Sequence, residues 1–280
     1  MKKTVLGAGL VAAFIMVAHW SLFSVPEKPV LISLDSAIQR TDEVCYQTES
    51  PEPIDQNGSL NLLVWNIYKQ NRDSWSEELS ALSESAQLVM LQEVSLNPTF
   101  LDWLTEHLWA SNQVSAFKLF ETSAGVLNLA PHFPLQACAY TQIEPWLRLP
   151  KSALYATYAL SNGQTLATVN IHAVNFTIGT KEFEAQIDAL KSAVESHQGP
   201  IIIAGDFNTW SEERTQELKK RVELLGLKEA RFSPDQRTEF VTGWPLDHVF
   251  YRDLNFKSAE APLSGASDHS PMWVEFSLVK

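Results

Sequence analysis

The chain predicts an α/β protein built as a sandwich of two β-sheets with interposed helices, on three observations. Short apolar runs recur and end in a polar side chain, at 62–65, 88–91, 167–171 and 201–204. Stretches with apolar residues at helical spacing lie among them, at 74–86, 97–109, 181–197 and 211–225. From 114 to 160 the pattern mostly alternates, which gives a strand-rich middle. With 280 residues, 45% of them hydrophobic, the chain can bury a large core. One domain over 61–280, acting as a monomer, is the expectation.

Taken in order, Leu62-Leu63-Val64-Trp65 is a strand that delivers Asn66 at its tip. The helix after it carries Trp75, Leu79, Leu82 and Ala86 on one stripe and feeds Leu88-Val89-Met90-Leu91, which delivers Gln92 and Glu93. Asn97-Pro98 opens the next helix, with the proline suited to a first turn. The alternating middle turns at Ala124-Gly125, Pro131 and Pro134. Ser161-Asn162-Gly163 reads as a hairpin between 153–160 and 165–171, and the second of these strands delivers His172 and then Asn175. Phe183, Ile187, Leu190 and Val194 form a helical stripe ahead of Ile201-Ile202-Ile203-Ala204. That strand is bounded by Gly199 and Gly205 and presents Asp206 and Asn208. Ser211 caps a further helix that has Glu212 and Glu213 in its first turn. A last strand begins at Pro245-Leu246 with Asp247 at its head; His248 alternates to its other face. Ser267-Asp268-His269 closes the set in a turn.

The N-terminus differs. Lys2-Lys3 precede an apolar run over 4–23, about twenty residues, long enough to cross a bilayer as a helix. The flanking lysines fit an N-in orientation. No Ala-x-Ala site follows, so of a signal anchor and a signal peptide the uncleaved anchor is favoured for 1–23, in the inner membrane with the rest periplasmic. A packed N-terminal helix in a cytoplasmic protein is the alternative. Residues 24–60 are rich in Pro, Ser, Glu and Asp and read as a tether. Cys45 and Cys138 could pair in an oxidising compartment, or Cys138 could be a buried thiol. Net charge is −12; residues 1–23 hold two lysines and no acid, which leaves 19 basic against 33 acidic residues, or −14. A grip on a nucleic-acid backbone needs a basic face, so nucleic acid is disfavoured as a partner. Lys219-Lys220-Arg221 is the only basic run and reads as a solvated helix face.

Carboxylates, amides and imidazoles at successive strand tips suit hydrolysis of a phosphate ester. Carboxylates hold a divalent cation, amides steady phosphate oxygens, and a histidine meets the developing charge. Any one of these motifs alone is more often a turn or a cap; six in order are not. WN at 65–66, QEV at 92–94, NIH at 170–172, GDFN at 205–208, LDHVFY at 246–251 and SDH at 267–269 resemble the endonuclease/exonuclease/phosphatase superfamily. That group includes DNase I, apurinic endonucleases, inositol-polyphosphate 5-phosphatases and neutral sphingomyelinases. Within it, Val64-Trp65-Asn66-Ile67-Tyr68-Lys69-Gln70 and Leu147-Arg148-Leu149-Pro150-Lys151-Ser152-Ala153-Leu154 resemble a bacterial branch from which no substrate carries over.

The resemblance implies a DNase I-like four-layer α/β sandwich, with two packed mixed β-sheets flanked by helices. It implies Mg²⁺ or Mn²⁺ held by Glu93, Asn66 and Asp268. Asp206 matches the aspartate that activates water, and Asn208 the asparagine on a phosphate oxygen. His269 matches the histidine that stabilises the pentacovalent phosphate, oriented by Asp247, and His172 acts on the leaving side. Asn175, Arg148 and Lys151 are further candidates for phosphate contacts. The chain departs from the pattern at Tyr68, where many members carry an acid that contributes to a second metal contact. A phosphodiesterase or phosphomonoesterase acting on a small or lipid-linked phosphate ester is therefore expected. A nuclease and a non-catalytic module are the rival readings. Trp75, Trp210 and Trp244 either line the mouth or pack in the core.

Overall fold

In the computed structural model, which describes residues 21–35, 39–49 and 52–279, sixteen strands are divided between two sheets. In chain order they are β1 (Phe23–Ser24), β2 (Val30–Leu34), β3 (Gln39–Glu43), β4 (Cys45–Gln47), β5 (Ser59–Asn66), β6 (Leu88–Ser95), β7 (Ala110–Leu119) and β8 (Thr122–Ala130). There follow β9 (Gln136–Ile143), β10 (Pro150–Ala159), β11 (Thr165–His172), β12 (Ile201–Asp206), β13 (Lys228–Glu229), β14 (Asp247–Arg252), β15 (Leu254–Glu260) and β16 (Met272–Leu278). Four α-helices are interposed between these strands among the described residues: α1 (Trp75–Ser83), α2 (Pro98–His107), α3 (Lys181–Val194) and α4 (Glu212–Leu224). The first sheet runs β15-β16-β5-β6-β8-β7-β2-β3, with β1 also on β7; the second runs β13-β14-β12-β11-β10-β9-β4.

Two parallel pairs organise the molecule, β5 with β6 and β11 with β12. A parallel pair needs a crossover, and α1 and α3 supply the two. All four strands therefore end on one side, and their polar tips converge there. Their runs are mostly apolar because both faces are covered, with Thr168 and Asn170 as the polar exceptions in β11. Leu62, Val64, Met90, Leu154, Ile202 and Val249 fill the space between the sheets. Their alternates Leu63, Trp65 and Leu91 pack with Leu79, Phe100 and Trp103 of α1 and α2. On the second sheet Val169, Ile171 and Ile203 meet Phe183, Leu190 and Leu218 of α3 and α4. The result is the expected four-layer sandwich.

A buried polar chain links the sheets beneath the tips. Gln92 Nε2 donates to Asn170 Oδ1 (2.7 Å), and Asn170 Nδ2 donates to Asn128 Oδ1 (2.9 Å) and to the Leu91 and Leu127 carbonyls. Gly205 is required just ahead of Asp206: its φ is +137°, and a Cβ there would lie 2.1 Å from the Ile171 carbonyl oxygen.

The expected tether is corrected in part. Within 24–60, β2 and β3 extend the first sheet, and β4 adds to the second through β9. Leu31 and Tyr46 enter the core between the sheets. Polar composition misleads here because strands near the sheet margin, such as β2, solvate one face and bury the other in alternation. Cys45 lies opposite Cys138 across β4 and β9, and the two form a disulfide with Cα atoms 4.1 Å apart. Residues 1–20 of the expected anchor lie outside the described residues, among which no helix is long and apolar enough to cross a membrane.

Candidate active site

Each tip is aimed by a local backbone device. A register shift between Leu91 and Val94 breaks the β6–β8 ladder, and Glu93 adopts φ +55° within it. This left-handed conformation is uncommon for a side chain with a Cβ and swings the carboxylate off the strand alternation. Asn208 sits at φ +51° just beyond β12. Its backbone N–H donates to Asp206 Oδ1 (2.9 Å), and its side-chain amide donates to the Ala173 carbonyl (3.0 Å). In the register of β12 and β14, Asp206 faces Asp247. The terminal turn is hooked onto β5, where Ser267 Oγ donates to the Asn66 carbonyl (2.6 Å) and Trp65 Nε1 to the His269 carbonyl (2.9 Å).

Asp206 is the hub. Only 2% exposed, it accepts from Asn66 Nδ2 at 3.0 Å, and its Oδ2 lies 3.5 Å from His172 Nε2 and 3.9 Å from His269 Nε2. His269 Nδ1 donates to Asp247 Oδ2 at 2.7 Å. Burial disfavours charge on this imidazole, but Asp247, with Asp206 and Asp268 near, pushes its pKa up to about 10. His172 goes the other way. Burial, together with the Lys151 ammonium on its Nε2 at 2.8 Å, brings it down to about 4. Burial also works against charge at Glu93, yet His172, Lys69 and Lys151 hold its carboxyl at about 2. His172 is neutral above about 4, so at neutral pH the positive charge beside Glu93 is that of the two lysines.

The structure thus brings together Glu93, Asn66, Asp206, Asn208, Asp247, His172, His269 and Lys151. Asn175 stands at the edge, its backbone N–H on Glu144 Oε1 (2.7 Å). Asp268 is exposed beside His269, and Arg148 is exposed in the turn ahead of β10. Asn66 is more occupied than a free ligand amide: besides its bond to Asp206, its Oδ1 accepts from the Tyr68 N–H (3.1 Å), which leaves one lone pair.

Asp206, Asp247 and His269 are also near enough to one another to form a metal-sized cluster. His269 Nδ1 is already bonded to Asp247, which leaves this cluster two carboxylates and one free ring nitrogen. Glu93 fits a hard cation better. Its carboxylate is ionised, and the Lys69 ammonium rests on Oε2 as a stand-in cation. Asn66 and Asp268 are oxygen donors, the type that Mg²⁺ and Mn²⁺ prefer.

Of the tryptophans, Trp210 lines the cleft beside Asn208. Trp75 packs on Phe100 and Trp103 in the core, and Trp244 is half-buried in a turn. Lys219-Lys220-Arg221 is not wholly a solvated face. Arg221 is buried, and it pairs with Glu184 (2.8 Å) and Asp188 (2.7 Å) of α3 and with Glu217.

Sequence reasoning missed Lys69, Glu144 and Arg214. Arg214 donates to the carbonyls of Val174 and Asn175 and so fixes the loop after His172. A basic residue in the first turn of a helix runs against the dipole, and that was a readable signal. Glu144, a buried acid ahead of Pro145, left none.

This fold, with polar side chains gathered at its strand tips, defines a two-sheet α/β sandwich scaffold, and the chain belongs to the endonuclease/exonuclease/phosphatase family, whose model matches residues 63–269. A UPF0294 protein of Vibrio campbellii is 52% identical over 269 residues, covering 96% of this chain and 95% of its own. A UPF0294 protein of Yersinia enterocolitica is 42% identical over 224 residues, covering 80% and 86%. Among solved structures, an endonuclease/exonuclease/phosphatase from Beutenbergia cavernae superposes with a TM-score of 0.63 at 16% identity, over 79% of this chain and 72% of that one. The human Nocturnin catalytic domain with bound sulfate gives 0.60 at 18%, over 82% and 97%.

Proposed function

We propose that the protein is a divalent-metal-dependent hydrolase of phosphate esters that works by in-line attack of water. The observation that carries this is Asp206, a buried carboxylate held by Asn66 and Asn208 between two imidazoles of opposite character. Glu93, Asn66 and Asp268 would hold Mg²⁺ or Mn²⁺, which when bound supplies Lewis-acid charge to a phosphate oxygen. Asp206 takes the proton of the attacking water. His269, positive at neutral pH through Asp247, offsets the negative charge that grows on the phosphoryl oxygens, and Asn208 orients one of them. His172, neutral and bonded to Lys151, faces the leaving side, where the ammonium supplies positive charge. Asn175 and Arg148 flank the entrance.

A small or lipid-linked ester is favoured over duplex DNA by the net charge of −12. We place the catalytic domain in the periplasm, held by residues 4–23. The Cys45–Cys138 disulfide favours an oxidising compartment, and the lysines ahead of the apolar run favour N-in. A reporter fused after Lys280 tests the location: alkaline phosphatase should be active, and a silent one would exclude it. The activity is tested by a panel of phosphodiesters and phosphomonoesters with Mg²⁺, Mn²⁺ or EDTA. Metal-dependent turnover of at least one ester is expected, and turnover of none would sink the proposal.

A further inference from the structure

The cleft that continues from Asn208 away from the charged groups is apolar. It holds about 550 Å³, within the range of ligand sites, and is lined by Trp146, Leu147, Phe176, Trp210, Phe240 and Leu246, with only Asn175, Thr177 and Asn208 as polar members. Three separate loops converge on it. Trp146 and Leu147 come from the turn before β10, Phe176 from the loop after β11, and Phe240 from the loop before β14. These four, with the neighbouring Ile178 and Val241, are between 47 and 93% exposed. So many large apolar groups around one mouth mark a binding surface. Fixed supports hold two of the loops. Arg214 binds the carbonyls of Val174 and Asn175, and Thr242 Oγ1 donates to the Trp210 carbonyl at 2.6 Å.

We infer that this cleft is a subsite for a hydrocarbon chain, and that the ester hydrolysed is amphiphilic, with its phosphate at Asn208 and an alkyl or acyl chain along Trp146, Phe176 and Phe240. The inference rests on the hydrolase reading for the position of the phosphate, since Asn175 and Asn208 line both regions. Trp146, Phe176, Trp210 and Phe240 offer flat faces, but the lining has only Asn175, Thr177 and Asn208 to read a base edge, and no basic group to hold a nucleic-acid backbone. Hydrocarbon needs only apolar area.

The test is hydrolysis of 4-nitrophenyl alkyl phosphodiesters, from methyl to decyl, by the full chain with Mg²⁺. A parallel arm measures binding of the matching n-alkylphosphonates, which do not turn over. We expect kcat/KM and phosphonate affinity each to rise about two- to four-fold per methylene until the cleft is full. The Trp146→Ser/Phe240→Ser double variant should flatten both slopes. Leu108→Ser, an exposed leucine at the end of α2, should leave them intact. Turnover of the methyl ester with no chain-length slope would overturn the subsite and leave the hydrolase standing. Turnover of no ester, with phosphonate affinity still rising with chain length and lost in the double variant, would remove the hydrolase and keep the subsite. Phosphonate affinity independent of chain length would overturn the subsite in either case.

Discussion

His269 and Asp247 behave as one group, because Asp247 is buried, His269 is part-buried against it, and each supplies what the other lacks. Removing either should lower turnover by a similar factor, and the double alanine variant should lose little more, since parts of one unit are not additive. Measured rates that multiply strictly would show two independent contributors. The same pair sets a pH dependence of stability. The folded pKa of His269 lies at about 10, above its ordinary 6.5. Its contribution is therefore complete below about pH 6.5 and fades as pH rises through 10. In EDTA, the melting temperature of His269→Gln should fall furthest below wild type near pH 6, and the gap should narrow steadily towards pH 10. A gap that stays constant with pH would exclude an ionic pairing. Glu93, at about 2, acts on the acid side: its stabilisation is present above about 4.5 and is lost as pH falls towards 2. Residue identities at the strand tips were legible in the sequence because an apolar run followed by one polar type is a local signal. Their partners Lys69 and Glu144 were not, since contact across the fold has no local signature.

At the scale of elements, β2, β3 and β4 are the part that composition hid. Short strands near the sheet margins with alternating polar residues carry too little apolar surface to stand out from a linker, and only their pairing with β7 and β9 gives them a role. The long elements were legible, α3 and α4 from their stripes and the β10–β11 hairpin from Ser161-Asn162-Gly163, with Ala159 opposite Thr165 as a three-residue loop requires. The disulfide closes a separation of 93 residues and ties β4 to β9. Reducing it, or replacing Cys45 with Ser, should lower stability by about 2–5 kcal/mol, mainly by freeing the unfolded chain. Denaturant unfolding with and without dithiothreitol measures this, and coincident curves would mean that the bond carries no stability.

For the whole molecule, 33 acidic residues against 21 basic ones set what approaches the cleft. Repulsion of a polyanion relaxes with salt over a Debye length of about 10 Å at 0.1 M. Any cleavage of plasmid DNA should thus be slow and should not fall as salt rises, whereas a backbone-gripping nuclease weakens steeply. Nicking assays at two salt concentrations check this, and efficient nicking that collapses with salt would favour the nuclease reading. The sandwich itself was readable because its parallel pairs are buried on both faces; the apolar mouth was not, since its residues are scattered over three loops. The central claim is that Glu93 and Asp206 form a metal-dependent hydrolytic centre. Its most direct test is turnover of the best ester of the panel at saturating Mg²⁺ by wild type, Glu93→Gln and Asp206→Asn, with circular dichroism to establish that each variant is folded. We expect EDTA to abolish wild-type turnover and each variant to lose about 10²-fold or more. Wild-type rates in either folded variant, or turnover untouched by EDTA, would contradict it.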